Sequence, residues 1–292
     1  MATGSNIDDS EEEISSDCLF KTRASSYNSS TVLFKRGIKV LGKNWMGRLN
    51  RQFKLRDLYL LGSHDSGAIS GKMKYQSGSI LQQLFWGVRF LDIQVGEYEN
   101  AIWLFYGEPC VLLKEVLIEI DQFVNSQPAE RVIISLRQSL TCNTLVDWAT
   151  VKQCFEDNLT AVLVSKDQVD VNINEMNGNV ILMGPGELHM ERNVGLELLL
   201  KHATTENNLN EFLMGLTKGN FLKEKGDKIV WVECRSRSEI SKRVSEEILT
   251  VQDSSFFSAK ERLHFNVVSF SFVDNTHFSL IKEYFRIWAN NQ

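Results

Sequence analysis

The stretch LLGSHDSGAIS, residues 60–70, places His64 and Asp65 between glycines at the end of an apolar run. The residues before it, LRDLYLL, are typical of a buried strand, and GSHDSG is typical of the loop that leaves such a strand. A His–Asp pair at the carboxyl end of a strand fits a general base and its neighbour. The same residues also fit a helix N-cap formed by Asp65 or Ser66, so the rest of the chain must decide between the two.

Apolar runs rich in β-forming residues follow one another after residue 56, and helix-like segments separate several of them. Near-continuous apolar strands between helices indicate a parallel sheet that is buried on both faces. We therefore predict an α/β fold, a (β/α) barrel of the TIM type, with a doubly wound open sheet as the alternative. The predicted strands are LYLLG, VRFLDIQV, AIWLFY, RVIISL, NVILMG, KIVWVEC and FNVVSFSFV. The predicted helices are GSILQQLFWG, CVLLKEVLIEIDQFVNSQ, TLVDWATVKQCFEDNL, GLELLLKHATTENNLNEFLMGL and ISKRVSEEILTVQ.

Composition excludes several classes of protein. The formal net charge of −5 and the absence of a basic motif argue against nucleic-acid binding. The five cysteines are scattered without CxxC spacing, which indicates reduced thiols of a cytoplasmic protein rather than disulfides or a zinc site. No window approaches 18 apolar residues and no signal peptide is evident, so we expect no transmembrane segment.

The charge of the amino-terminal part of the chain changes from negative to positive along the sequence. Residues 1 to about 30 are polar and acidic and are expected to be disordered, whereas residues 18–56 carry ten Lys and Arg and no acidic residue. We therefore divide the chain into an acidic and then basic arm, residues 1–44, and a single barrel domain, residues 45–292. The basic segment Phe20–Lys54 predicts attraction to an anionic membrane surface. The alternative is a lead-in segment that packs on the domain.

Polar residues at strand ends are the candidates for function, because chemistry in a (β/α) barrel lies at the carboxyl ends of its strands. Arginine forks match phosphate oxygens and carboxylates accept sugar hydroxyls, so the set suits a phosphosugar-like ligand. Each residue alone also has an ordinary structural explanation. The candidates are His64, Asp65, Asp92, Gln94, Tyr106, Arg137, Gly184–Glu187, Glu233, Arg235 and Ser271–Asp274.

Several blocks of the sequence resemble the X domain of phosphatidylinositol-specific phospholipase C, particularly the compact X-domain-only proteins of animals. They are NWMGRL with LRDLYLLGSHDSGA, QQLFWGVRFLDIQVGEY, LLKEVLIEIDQFVNSQPAERVIISLRQ and FNVVSFSFVD, over roughly residues 45–290. The resemblance implies an irregular (β/α) barrel. It also implies a reaction in which the inositol 2-hydroxyl attacks the phosphodiester, giving a cyclic phosphate and diacylglycerol.

The resemblance assigns catalytic roles to His64, Asp65 and Asp92, with His64 as the general base, and matches Arg137 to a basic position near the head group. Two family positions differ here. The family's LDxRV is LDIQV, so Gln94 replaces the phosphate arginine, and its HG is YG, so Tyr106 replaces the second histidine, the general acid. The first change typically costs about 10²–10³ in rate and the second about 10²–10⁴.

Four further positions belong to the expected site or lie close to it in the sequence. Glu233 and Arg235 are expected to bind substrate. Ser271 stands where the family has an aspartate in its last strand, and Asp274 lies three residues on.

No cofactor and no metal are predicted. Calcium, which serves one branch of the family, would need several carboxylate or amide oxygens around the phosphate. The residues with such oxygens are Asp65, Asp92, Gln94, Glu97 and Glu233.

We therefore expect a phosphoric diester hydrolase-like protein that binds a phosphoinositide or inositol phosphate head group, with cleavage weak or lost. One alternative is an active phosphodiesterase that uses Tyr106 or a metal in place of the missing groups. Another is a membrane-docked interaction protein with a vestigial site. The expected location is the cytoplasm, peripheral at membranes.

Overall fold

The structure is a computed structural model. It describes residues 42–49, 53–55, 58, 60–164, 171–185, 188, 198–204, 229–235, 267–274 and 277–278, and of residues 198–204, 229–230, 232–235 and 268 it describes the backbone alone. The predicted arm before residue 42 and the predicted helix ISKRVSEEILTVQ lie outside these residues. No helix within the described ranges is long and apolar enough to cross a membrane.

The described chain alternates strands and helices. The strands are β1 (Leu60–Ser63), β2 (Phe90–Tyr98), β3 (Ala101–Phe105), β4 (Pro109–Leu112), β5 (Val132–Gln138), β6 (Val180–Met183), β7 (Leu198–Thr204), β8 (Ile229–Arg235) and β9 (Val267–Phe270). The helices are α1 (Ile80–Phe85), α2 (Leu113–Ser126) and α3 (Trp148–Asn158).

Seven parallel strands form one sheet in the order β6-β5-β2-β1-β9-β8-β7, and β3 and β4 extend it antiparallel from β2. Apart from β6 and β7, parallel strands that follow one another in the chain lie side by side, and the first strand pairs with the last. This order is that of a barrel, whereas a doubly wound sheet reverses its strand order at a switch point. Among the described residues no pairing joins β6 to β7. The carboxyl ends of the parallel strands lie along one side of the sheet, which we call the carboxyl edge.

The apolar runs form the sheet because both of its faces are covered. Every residue of β1 and β6 is buried, as are the first five of β5. Helix α2 packs one apolar face against this core, and its buried residues are Leu113, Val116, Leu117, Ile120, Phe123 and Val124. Helix α3 begins after Asp147, whose carboxylate accepts hydrogen bonds from the Ala149 N–H and the Thr150 hydroxyl, as an N-cap residue does.

Two predicted helices are partly wrong. The segment 195–216 was expected to be helical, but Leu198–Thr204 forms β7 and pairs with β8 over seven residues. The predicted helix that starts at Cys110 begins with a strand, β4, and the helix itself starts at Leu113. Both errors arise because a short continuous apolar run fits a strand and a buried helix equally well. The neighbouring strand then determines which one forms.

Residues 42–49 pack against the amino ends of β2 and β5, opposite the carboxyl edge. The buried Arg89 guanidinium binds the Glu130 carboxylate at 2.7 and 2.9 Å and also donates to the carbonyl of Gly42 at 2.8 Å. The other Glu130 oxygen accepts the Gly47 N–H at 3.0 Å. Since Arg89 and Glu130 lie just before β2 and β5, this ion pair joins the segment to the base of the sheet.

The apolar residues of the basic segment belong to the core where the structure describes them. They are Trp45, Met46, Leu49 and Phe53. For this part of the segment, packing on the domain is the interpretation that holds.

Breaking the Arg89–Glu130 pair should destabilise the protein strongly. We expect Glu130→Ala to lower the free energy of unfolding by about 3–5 kcal/mol, because it leaves a buried guanidinium without its counter-charge. Denaturant unfolding measures the change. The matched control is Glu156→Ala, which removes an exposed partner of Lys152 on α3 and should cost less than about 0.5 kcal/mol. Equal losses in the two variants would contradict the role given to the buried pair.

Candidate active site

The turn after β1 brings the His–Asp pair to the carboxyl edge. The His64 N–H donates to the carbonyl of Phe270 at the end of β9, at 3.0 Å, and the Ser66 N–H donates to the carbonyl of Asp92 on β2, at 2.8 Å. Asp65 itself has φ of +46°, a left-handed conformation that aspartate tolerates better than most residues. The turn is therefore fixed by backbone bonds to both neighbouring strands.

His64 lies between two carboxylates. Its Nε2 is 3.0 Å from Asp65 Oδ2, its Nδ1 is 3.3 Å from Asp92 Oδ2, and all three side chains are buried. The imidazole ring is therefore enclosed by an acid on each side, one beside each of its nitrogens.

Asp92 is the centre of the site. Its two oxygens accept from Arg137 Nε at 3.0 Å and Arg137 Nη2 at 2.9 Å, and Oδ2 also accepts the Asp65 N–H at 3.2 Å. Burial alone would raise the pKa of the Asp92 carboxyl. The hydrogen bonds and charges of His64 and Arg137 outweigh burial and lower that pKa below its usual range.

Gln94 and Arg137 converge on Asp65. Gln94 Nε2 donates to Asp65 Oδ1 at 2.5 Å, and Arg137 Nη2 lies 3.6 Å from the same oxygen. The two residues are direct partners across the parallel pair β2–β5. The Arg137 side chain is 36% exposed, so it links the buried carboxylates to the surface of the carboxyl edge.

Tyr106 enters the site from the end of β3, but its hydroxyl bonds to backbone. It accepts the N–H groups of Gly67 at 3.2 Å and Gln94 at 3.5 Å, and donates to the carbonyl of Asp92 at 3.4 Å. Burial, with the charges of Asp65 and Asp92, raises the pKa of Tyr106 well above its usual value. The phenol therefore holds its proton tightly and links the β1 turn to β2.

The remaining predicted site residues do not all join this cluster. Glu233 and Arg235 lie on β8, where Glu233 is in register with Ser269. Ser271 is buried directly after β9, whereas Asp274 pairs with His277 at 3.0 Å rather than supporting His64. Gly184 and Pro185 follow β6, and Glu187 lies outside the described residues.

Gln76 is a positioning residue of the site that the sequence did not reveal. Its buried amide donates to the carbonyls of His64 at 2.6 Å and Phe270 at 3.0 Å, and accepts the Val273 N–H at 3.1 Å. This side chain fastens the His64 turn to the end of β9. Gln76 lies in a polar loop with nothing local to distinguish it, so no signal in the sequence pointed to the role.

The carboxylate cluster has the spacing of a metal site, but its oxygens already accept hydrogen bonds from other side chains. One ligand atom each from His64, Asp65 and Asp92 lies within 4.8 Å of the others. Calcium takes six to eight oxygens. Here the Asp92 oxygens already accept from a guanidinium, and Asp65 Oδ1 accepts from Gln94. The residues present do not fit a calcium ion.

Comparisons with known proteins concern the family and the fold. Residues 54–184 match the family described as Phosphatidylinositol-specific phospholipase C, X domain. No curated protein sequence matches the chain significantly.

Solved bacterial structures share the fold. The phosphatidylinositol-specific phospholipase C of Staphylococcus aureus is similar with a TM-score of 0.63 and 15% identity, covering 83% of this chain and 97% of that one. The enzyme from Listeria monocytogenes gives 0.61 and 17%, covering 84% and 99%. At these identities the likeness concerns the fold alone, and it confirms the predicted fold class.

Acid should weaken the contribution of Asp92 to stability. Its folded-state pKa is lowered, so the stability it provides is full above the ordinary carboxylate range and is lost as the pH falls from about 4 towards 2. We therefore expect Asp92→Asn to be less stable than the wild type at pH 7, with a gap that narrows over that range.

Unfolding by denaturant at several pH values measures this gap. The control is Asp157→Asn, an exposed acid on α3, whose gap should stay small throughout. A gap for Asp92→Asn that stayed constant down to pH 2 would contradict the ion-pair network.

Proposed function

We propose that this protein, whose residues 54–184 match the X domain of phosphatidylinositol-specific phospholipase C, binds a phosphorylated inositol head group. We propose further that it cleaves the phosphodiester of that group weakly or not at all. The head group belongs either to a phosphoinositide or to a soluble inositol phosphate. The site proposed for it is the cluster of His64, Asp65, Asp92, Gln94 and Arg137 at the carboxyl edge.

The environment of the Tyr106 hydroxyl carries the proposal of weak cleavage. A general acid has to give its proton to the leaving alkoxide, and it does so best with a pKa near the working pH. The Tyr106 phenol has a raised pKa, and its proton points at the backbone carbonyl of Asp92. Such a group is a poor replacement for an imidazolium.

The surroundings of His64 support the same conclusion. A general base needs a free lone pair within reach of the proton that it removes. Both His64 nitrogens face carboxylate oxygens, at 3.0 and 3.3 Å. Abstraction of a hydroxyl proton would first require one of these contacts to open.

Restoring the two altered groups should raise turnover. We expect the wild type to release little or no cyclic inositol phosphate from phosphatidylinositol, and Gln94→Arg with Tyr106→His to increase release by about 10² or more. Gln94→Arg alone should do little, since a phosphate clamp without a proton donor still expels a poor leaving group. The measurement is release from labelled phosphatidylinositol vesicles, with and without calcium.

Two control variants make the result decisive. His64→Ala in the double variant should abolish the gained activity, because the base is removed. Tyr106→Phe tests the active alternative, in which the phenol is the acid. Robust wild-type turnover that Tyr106→Phe abolishes, in a protein that still folds, would establish that alternative and refute the proposal. Robust turnover that survives His64→Ala would refute the assigned mechanism altogether.

Docking on a membrane is the second part of the proposal. The described residues place two strongly exposed leucines, Leu140 (93%) and Leu145 (82%), in the loop after β5 at the carboxyl edge, beside the proposed site. Lys72 and Lys74, also exposed, lie in the loop after β1. The basic residues before position 42 would add attraction to anionic lipid at about 1 kcal/mol each. We place the protein in the cytoplasm, at the membrane surface.

The membrane contact has a direct test with vesicles. We expect stronger binding to vesicles with phosphatidylinositol than to neutral ones, weakened by salt and by Lys35→Gln/Arg36→Gln/Lys39→Gln. Leu140→Ser/Leu145→Ser should weaken binding to both kinds of vesicle. The matched control is Ile118→Ser, a 52% exposed apolar residue on α2. Binding that is equal for both vesicle types and insensitive to salt would contradict the electrostatic part of the proposal.

A further inference from the structure

The position of a cation in the site differs from the expectation that the family resemblance sets. The family places its phosphate cation on β2, at the position of Gln94, or uses calcium. In this protein the described site residues hold one permanent cation, Arg137, and it lies on β5. Its Nε and Nη2 bind Asp92 at 3.0 and 2.9 Å, and Nη2 lies 3.6 Å from Asp65.

The register of the sheet explains how β5 can serve this position. Gln94 and Arg137 are direct partners in the parallel pair β2–β5. Adjacent strands lie about 4.8 Å apart, which the long arginine side chain spans easily. Both side chains approach the same atom, Asp65 Oδ1, Gln94 at 2.5 Å and Arg137 at 3.6 Å. A charge on position 137 therefore reaches the volume that a charge on position 94 would occupy.

We propose that Arg137 is the phosphate-binding cation of this site, that it supplies from β5 the charge missing at Gln94, and that it replaces a divalent metal. The inference rests on the proposed head-group function and names the group that recognises the phosphate. Asp92, fully buried, fixes the guanidinium through a two-point contact. The side chain remains 36% exposed, so a phosphate can approach it from the carboxyl edge.

The same contact explains why a divalent ion is not needed. Asp92 and Asp65 would be the first ligands of a calcium ion, and the Arg137 guanidinium already lies against both. A guanidinium and a calcium ion bound to the same two carboxylates would lie close together and repel each other, so each excludes the other. Removing the guanidinium should release the Asp92 oxygens and allow a divalent ion to bind weakly between the two carboxylates.

Binding of soluble ligands tests the phosphate role without the complication of a membrane. Calorimetry with inositol 1-phosphate and with neutral inositol compares the wild type, Arg137→Gln, Arg137→Lys and Gln94→Arg/Arg137→Gln. We expect Arg137→Gln to weaken binding of the phosphate about 10–100-fold and to leave neutral inositol unchanged. Arg137→Lys should weaken it less, and the double variant, which returns the charge to β2, should recover most of the affinity.

Calcium provides an independent measurement. Wild-type binding of inositol 1-phosphate should be the same in calcium and in chelator. The Arg137→Gln variant should bind calcium, seen as a rise in its unfolding temperature that the wild type does not show. Lys152→Gln, which removes an exposed charge from α3, is the matched control and should change neither result.

The outcomes that overturn the inference differ from those that overturn the proposed function. A folded Arg137→Gln variant that binds inositol 1-phosphate as well as the wild type overturns the phosphate role alone. Wild-type binding that chelator abolishes overturns the replacement of the metal. A wild type that binds no inositol phosphate at all refutes the proposed function, and the phosphate role of Arg137 with it. The Gln94→Arg/Arg137→Gln variant guards against a loss that comes only from misfolding.

Discussion

One buried carboxylate, that of Asp92, organises the carboxyl edge of this protein. It receives Arg137 from β5, His64 from β1 and the backbone N–H of Asp65. An ionised carboxylate without partners is too costly to bury, so its presence requires these neighbours to stay close. The turn after β1 and the orientation of the arginine both follow from that requirement.

The network that makes this edge stable also limits its chemistry. Each polar side chain in it contacts another polar group of the protein. His64 lies against two acids, Gln94 donates to Asp65, and the Tyr106 hydroxyl bonds to the backbone. A catalytic site keeps some of these groups poised for a substrate and accepts a cost in stability. In this protein the polar groups stabilise one another, which agrees with the proposal of a site that binds its ligand and cleaves it weakly or not at all.

The sequence predicted what is local and missed what is distant. The HDSG turn, the β2 and β5 strands and the place of Arg137 follow from apolar runs and from the residues that end them. The sequence predicts a helix where β7 forms, because the apolar run LELLL fits the period of a helix and that of a buried strand equally well. The roles of Gln76 and of the Arg89–Glu130 pair could not be predicted, since each depends on bonds between segments far apart in the chain.

The Tyr106 hydroxyl has a consequence for how such a site can change over evolutionary time. It is the acceptor for two backbone N–H groups, the buried one of Gly67 and the partly buried one of Gln94. A residue of different reach leaves these groups unsatisfied, at about 1–3 kcal/mol each. Exchange of this tyrosine for histidine therefore passes through a less stable protein unless the backbone around it adjusts first. The order of mutations around this residue, and not only their sum, therefore decides how stable the intermediate proteins are.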